Sequence, residues 1–174
     1  MSETFETING QGLCTYAQLR YGWRRVKHNG CGLLAAYNAL GLLGRPMDFL
    51  EIRRYFHHIW RPRFLGSNTF ELRRFFRKQG LAVLWIRDPS ELEQRLKEGG
   101  VAVMIQWNSR IKSSKIPNPL KGAHLICATW EEDQLTVYNR YSNRSTVYRY
   151  SSVGALYEKP KLICALYLSG EAQK

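Results

Sequence analysis

The chain has 174 residues, 44% of them hydrophobic, and a formal net charge of +12 with a pI near 9.8. That length suits a single domain with a substantial core. Apolar runs no longer than 33–43 argue against a membrane span, and the opening MSETFETINGQG, neither basic nor apolar, argues against a secretory signal.

Up to about Tyr21 the sequence has no sustained periodicity, which predicts a loop with a helical turn over 16–19. Residues 28–43, HNGCGLLAAYNALGLL, then pass from a polar turn into a segment apolar on nearly every side. A helix apolar all round is a buried one, so this stretch predicts a central helix with Cys31 at its mouth. A helix N-terminus lowers a thiol pKa, and the flanking Gly30 and Gly32 permit close approach of backbone or ligand.

Gly44, Arg45 and Pro46 predict a break. A second helix is expected from Asp48, with Glu51 as its capping partner and Phe49, Ile52, Phe56 and Ile59 on one face, ending before Pro62. A third is expected from Asn68, capped through Glu71, burying Phe70, Leu72, Phe75 and Phe76 before Gly80.

Strands are predicted over 81–86, 101–107, 123–130, 134–139, 145–150 and 162–168. A short helix opens at Asp88-Pro89-Ser90 and closes at Gly99 and Gly100. The strand over 123–130 is apolar on both faces, which places it centrally in its sheet. Together these elements give an α+β architecture, with helices first and then a mostly antiparallel sheet, in one domain over 1–174 with a core of about 21–168.

The positive charge attracts acidic partners of any class. Much of it lies over 53–78, where arginines alternate with aromatics, a pattern that predicts two amphipathic helices with a solvated basic face. A nucleic-acid surface would need those arginines on one continuous face. The four cysteines, Cys14, Cys31, Cys127 and Cys164, are scattered without metal-type pairing and fit a reducing, cytoplasmic compartment. No residue cluster has metal-ligand spacing, and no glycine-rich loop leads from a strand into a helix, so no cofactor or metal is implied.

A cysteine nucleophile requires a base, and the base an orienting group. Of the four histidines, His57 and His58 are adjacent on a helix and diverge by about 100°. His28 belongs to a polar turn. His124 stands at the start of the central strand, after the polar loop 108–122. With a hairpin turn over 131–134, Trp130 pairs with Leu135 and His124 falls opposite Tyr141, which puts Asn139 diagonal to His124 on the same face. Cys127 falls on the other face from His124, and it and Cys164 read as packing residues.

The N-G-C-G-L-L-A-A helix, the G-A-H-L-I-C strand and the V-Y-N strand end resemble, in order and spacing, the papain-like cysteine peptidases. The likeness is greatest to the family of bacterial bacteriocin-processing peptidases that cut double-glycine leaders. Cys31 and His124 lie 93 residues apart, and His124 and Asn139 lie 15 apart, spacings that suit this family. The resemblance implies a papain-like fold with Cys31 as nucleophile, His124 as base and later acid, and Asn139 as the group that orients the imidazole. It implies a bacterial, cytoplasmic cysteine peptidase-like hydrolase that acts on a peptide or protein through an acyl-enzyme. A thiol acyltransferase or amidase would use the same triad.

One position departs from that family. Where it carries a glutamine shortly before the cysteine as an oxyanion donor, this chain has Arg25, with Gln18 further back and Asn29 nearer. Asn29 and Arg25 are therefore the candidate oxyanion donors. The departure keeps a second function in view, a catalytically impaired papain-like domain that binds a peptide or protein, and the charge keeps a third, a nucleic-acid-associated protein. Basic residues in loops 61–68 and 109–121, expected to wall the cleft, favour an acidic substrate; oligomeric state is left open.

Overall fold

A computed structural model describes residues 5–57, 66–107, 123–157 and 161–170. His58, Ile59, Arg61, Pro62 and most of the two expected cleft loops lie outside these ranges.

The elements follow from local chemistry. A small antiparallel hairpin, β1 (Arg20–Tyr21) and β2 (Arg24–Arg25), turns at Gly22, whose φ of +63° is one that glycine adopts without strain. One helical turn, α1 (Val26–Asn29), leads through Gly30 into α2 (Cys31–Leu42). The sequence predicted a polar turn leading into a helix with Cys31 at its mouth; α2 begins at the cysteine itself, and the turn before it is the single helical turn α1. Gly44, with φ of +70°, closes the segment, as the break at 44–46 predicted.

Next come α3 (Phe49–His57) and α4 (Thr69–Lys78). The Asp48 carboxylate accepts from the N–H groups of Leu50 and Glu51, and Asn68 and Glu71 form a reciprocal capping box on α4. Phe70 departs from its expected burial: it is 72% exposed and leans on the Trp85 ring 5.4 Å away. It belongs to the first turn of α4, outside the stripe that Leu72, Phe75 and Phe76 turn to the core.

The remaining elements are β3 (Ala82–Ile86), α5 (Pro89–Lys97), β4 (Val101–Trp107), β5 (Ala123–Glu131), β6 (Gln134–Tyr138), β7 (Tyr148–Tyr150), α6 (Val153–Leu156) and β8 (Lys161–Ser169). Six strands form one sheet in the order β3-β8-β4-β5-β6-β7, with every pairing antiparallel. The β5–β6 hairpin has the expected register, Trp130 opposite Leu135, and turns at Glu132 and Asp133, both at positive φ, as a tight hairpin turn requires.

The sheet is covered on both faces, which explains why β5 reads as apolar on both sides. Val101, Val103, Leu125, Cys127, Leu166 and Leu168 face a core that includes Leu33, Leu34 and Ala36 of α2 and residues of α3 and α4. Ala102, Met104, Ile126, Ala128 and Ala165 face a second core with Leu92 and Leu96 of α5 and Val153 and Leu156 of α6. Arg54, Arg74, Arg77 and Lys78 stay exposed, so the described part of the 53–78 region presents the solvated basic face that its periodicity predicted. Among the described residues no helix is long and apolar enough to cross a membrane.

The first turn of α2 is clamped. A Cβ on Gly32 would come within 2.4 Å of Ser67 Cβ and 3.2 Å of Leu125 Cδ1. Ser67 is itself fixed, its Oγ hydrogen-bonded at 2.7 Å to the buried Tyr21 hydroxyl. Replacing Gly32 by Ala gains about 1 kcal/mol of helix propensity, but overpacking typically costs about 1–3 kcal/mol. With contacts this short we expect the variant to be less stable, and a fall in its urea midpoint relative to the parent will check this.

Candidate active site

Cys31 opens α2 and is half-buried between that helix and the start of β5. Hydrogen bonds from the backbone of Leu125, Gly32 and Cys31 favour its thiolate, but burial outweighs them and pushes the thiol above its ordinary value. This differs from the lowering expected at a helix mouth, because the first turn of α2 is packed against 66–67 and β5 instead of open to water. The resting side chain is a neutral thiol.

His124 lies at the start of β5, next to Leu125, and is 9% exposed. Its Nε2 is 2.7 Å from the backbone carbonyl oxygen of Asn139. A carbonyl can only accept, so Nε2 carries the hydrogen and Nδ1 keeps its lone pair. Burial lowers the His124 pKa, the Asn139 hydrogen bond opposes that, and the charge of Arg140 lowers it further. The imidazole is therefore a neutral base at pH 7.

Asn139 meets His124 through its main-chain carbonyl, where the sequence predicts its side chain on the face of the imidazole. It leaves β6 with φ of +55°, in the left-handed region that asparagine tolerates better than most residues. That turn ends the β5–β6 pairing at Cys127 opposite Tyr138 and aims the carbonyl at the imidazole. The Asn139 side chain points elsewhere: its Oδ1 accepts from the Gln11 N–H at 3.1 Å, while the Asn139 N–H donates to Asn9 Oδ1 at 2.8 Å.

The N-terminal segment, expected as loop, is therefore a strap across the site. Gln11 is buried, and its Nε2 donates to the Lys27 carbonyl of α1. Further back, the Asn38 amide of α2 both donates to and accepts from the Ile8 backbone. Gln11 was missed in the sequence because it lies 20 residues before Cys31 in a stretch without periodicity. The one local signal was a run of turn residues, N-G-Q-G, around it.

The two candidate oxyanion donors separate. Asn29 ends α1 and is buried, its carbonyl packed under Gly66. Arg25 is exposed, its guanidinium donating to Gln18 Oε1. It lines an open groove of about 410 Å³ with Trp23, Arg24, Lys27 and His28, and Cys31 is not part of that lining. His28 and His57 are exposed. Cys127 and Cys164 are buried, with thiols raised chiefly by desolvation. Of the expected cleft loops only 66–68 is described, and it abuts the start of α2. Among the described residues no group of three or more His, Cys, Asp or Glu could hold a metal.

No family model and no curated protein matches the chain. Among solved structures it is similar to the peptidase domain of Streptococcus ComA, a bifunctional ABC transporter involved in a quorum-sensing pathway. The TM-score is 0.54 at 13% identity, over 82% of this chain and 93% of that one. At this identity the likeness is one of fold: mixed helices on an antiparallel sheet, shared with a peptidase domain.

Because the folded pKa of His124 is depressed below its ordinary value of 6.5, the unfolded state binds the proton first as pH falls. Stability is thus fully present above about pH 7 and declines through 6.5 toward the lower folded value. Thermal midpoints measured from about pH 8 to about pH 5 should fall in the parent, and less steeply in His124→Gln, which has no titrating group there.

Proposed function

We propose that the chain is a cysteine peptidase-like thiol hydrolase of papain-like type, allied to the bacteriocin-processing peptidases. The observation that carries this reading is the hydrogen bond from His124 Nε2 to the Asn139 carbonyl, which leaves Nδ1 basic at the strand end whose next backbone N–H contacts the Cys31 thiol. The fold likeness to a peptidase domain supports it.

In this reading Cys31 transfers its proton to His124 Nδ1 as the sulfur attacks the substrate carbonyl carbon. Starting from a neutral pair, proton transfer and attack proceed together. The oxyanion accepts from the Cys31 backbone N–H at the start of α2, and Asn29 or Arg25 is the candidate second donor. His124 then gives the proton to the departing amine. Water attacks the resulting thioester, with His124 again as base, and restores the thiol. Peptide or protein substrates fit this chemistry, and the positive charge favours acidic ones.

A second reading, a domain that uses the same cleft only to bind peptide, is favoured by the raised Cys31 thiol and by the place of Arg25 in the open groove.

A quenched-fluorescence peptide library decides between the two. Hydrolysis should be lost in Cys31→Ser and should fall by about 10²–10⁴-fold in His124→Ala. The acid limb of kcat/KM should lie below 6.5, because His124 must be neutral to act as base and its pKa is lowered. Turnover that survives in Cys31→Ser would sink the proposal, and saturable binding with no turnover in the parent selects the binding reading.

A further inference from the structure

The groove lined by Trp23, Arg24, Arg25, Lys27 and His28 has a volume of about 410 Å³. That lies within the roughly 300–1,000 Å³ of small-ligand sites. It is built on the β1–β2 hairpin and α1. Trp23 stands at the hairpin turn, after Gly22, and is 57% exposed, so much of the indole is open to a ligand. Arg24 and Arg25 follow it on β2, both exposed, and Lys27 and His28 come from α1. The Arg25 guanidinium donates to Gln18 Oε1, a neutral partner that positions the group without cancelling its charge. Among the described residues no carboxylate lines the groove, and the segments 58–65 and 108–122 contain no Asp or Glu.

The cationic surface continues beyond the groove. Arg20 is the cross-strand partner of Arg25, and its carbonyl accepts from Arg53 Nε of α3 at 2.8 Å. The neighbours Arg25, Arg20 and Arg53 thus join the groove to α3, where Arg54 is exposed. A polyanion longer than the groove therefore meets further cations where it leaves it.

Cations alone attract any polyanion, and the indole is what selects among them. A strand with unpaired bases offers both halves of the match, phosphates for the guanidinium and ammonium groups and a flat ring for the indole. An acidic peptide satisfies the cations but supplies no recurring ring to stack. We propose that this groove binds single-stranded nucleic acid, with a base stacked on Trp23, the adjoining phosphates on Arg24, Arg25 and Lys27, and the strand leading on toward Arg20 and Arg53. Cys31 is not part of the groove's lining, so this is a second function that does not depend on the thiol-hydrolase reading.

The test uses the full-length chain and a fluorescein-labelled oligothymidylate of about 12 nucleotides, within the span of single-strand sites. Anisotropy titrations from about 50 to about 200 mM salt should give a slope of log affinity against log salt steeper than about −1, since each phosphate contact on a single strand contributes about −0.7. Arg24→Gln should make that slope shallower by about 0.7. Arg95→Gln removes a charge from α5, on the other face of the sheet, and should leave it unchanged. Trp23→Ala should weaken binding at least about fivefold, the lower bound for one base stacked on an aromatic ring, and Trp23→Phe should restore most of it. An abasic strand of the same length and charge should bind the parent at least about fivefold more weakly and be indifferent to Trp23→Ala.

Equal affinity of the parent for the base-bearing and abasic strands, no loss in Trp23→Ala, or an equal change of slope in Arg95→Gln would overturn the proposal. Tighter binding of a labelled oligoglutamate of matched charge would also overturn it, and would make the groove a site for acidic peptide.

Discussion

The hydrogen bond between His124 Nε2 and the Asn139 carbonyl is the constraint on which the site depends. It fixes which nitrogen of the imidazole is basic, and it requires Asn139 to turn its carbonyl out of the β6 ladder at positive φ. That conformation is costly for a residue with a Cβ and persists where its surroundings hold it. Here Asn9 and Gln11 take the amide N–H and the side-chain oxygen, and Gln11 in turn grips α1 just before Gly30 and Cys31. Hydrogen bonds thus tie the N-terminal strap to α1 and to the Asn139 turn that holds the imidazole.

Burial sets the electrostatics. The start of α2 offers N–H groups to the Cys31 sulfur, but partial burial outweighs them and holds the thiol above its ordinary value. His124 is held neutral by burial and by the nearby Arg140. In the proposed hydrolase, a neutral thiol and a neutral imidazole start with no ion pair, so reactivity depends on geometry at the moment of attack. The large positive charge of the chain acts mainly elsewhere, on the exposed faces of α3 and α4 and in the Trp23–His28 groove.

Much of this was legible in the sequence wherever burial imposes a period. The all-round apolar run gave α2, the doubly apolar strand gave the interior place of β5, and the hairpin register put Asn139 beside His124. What could not be read came from main-chain and side-chain hydrogen bonds that leave no period. Gln11 and Asn9 lie in a stretch without alternation, and nothing in a one-letter code says that Asn139 acts through its carbonyl. That the polar turn before Gly30 is itself helical was not legible, because α1 spans only Val26–Asn29. Phe70 fitted an apolar stripe by type but not by angle, and came to rest on Trp85.

The central claim is that Asn139 holds His124 as the Nε2–H tautomer with Nδ1 available to Cys31. The most direct measurement is the ¹⁵N spectrum of the His124 imidazole at neutral pH, before and after alkylation of Cys31. The account predicts a protonated Nε2 and an unprotonated Nδ1, with the Nδ1 resonance moving when the thiol is blocked. A protonated Nδ1, or an Nδ1 resonance indifferent to the state of Cys31, would contradict it.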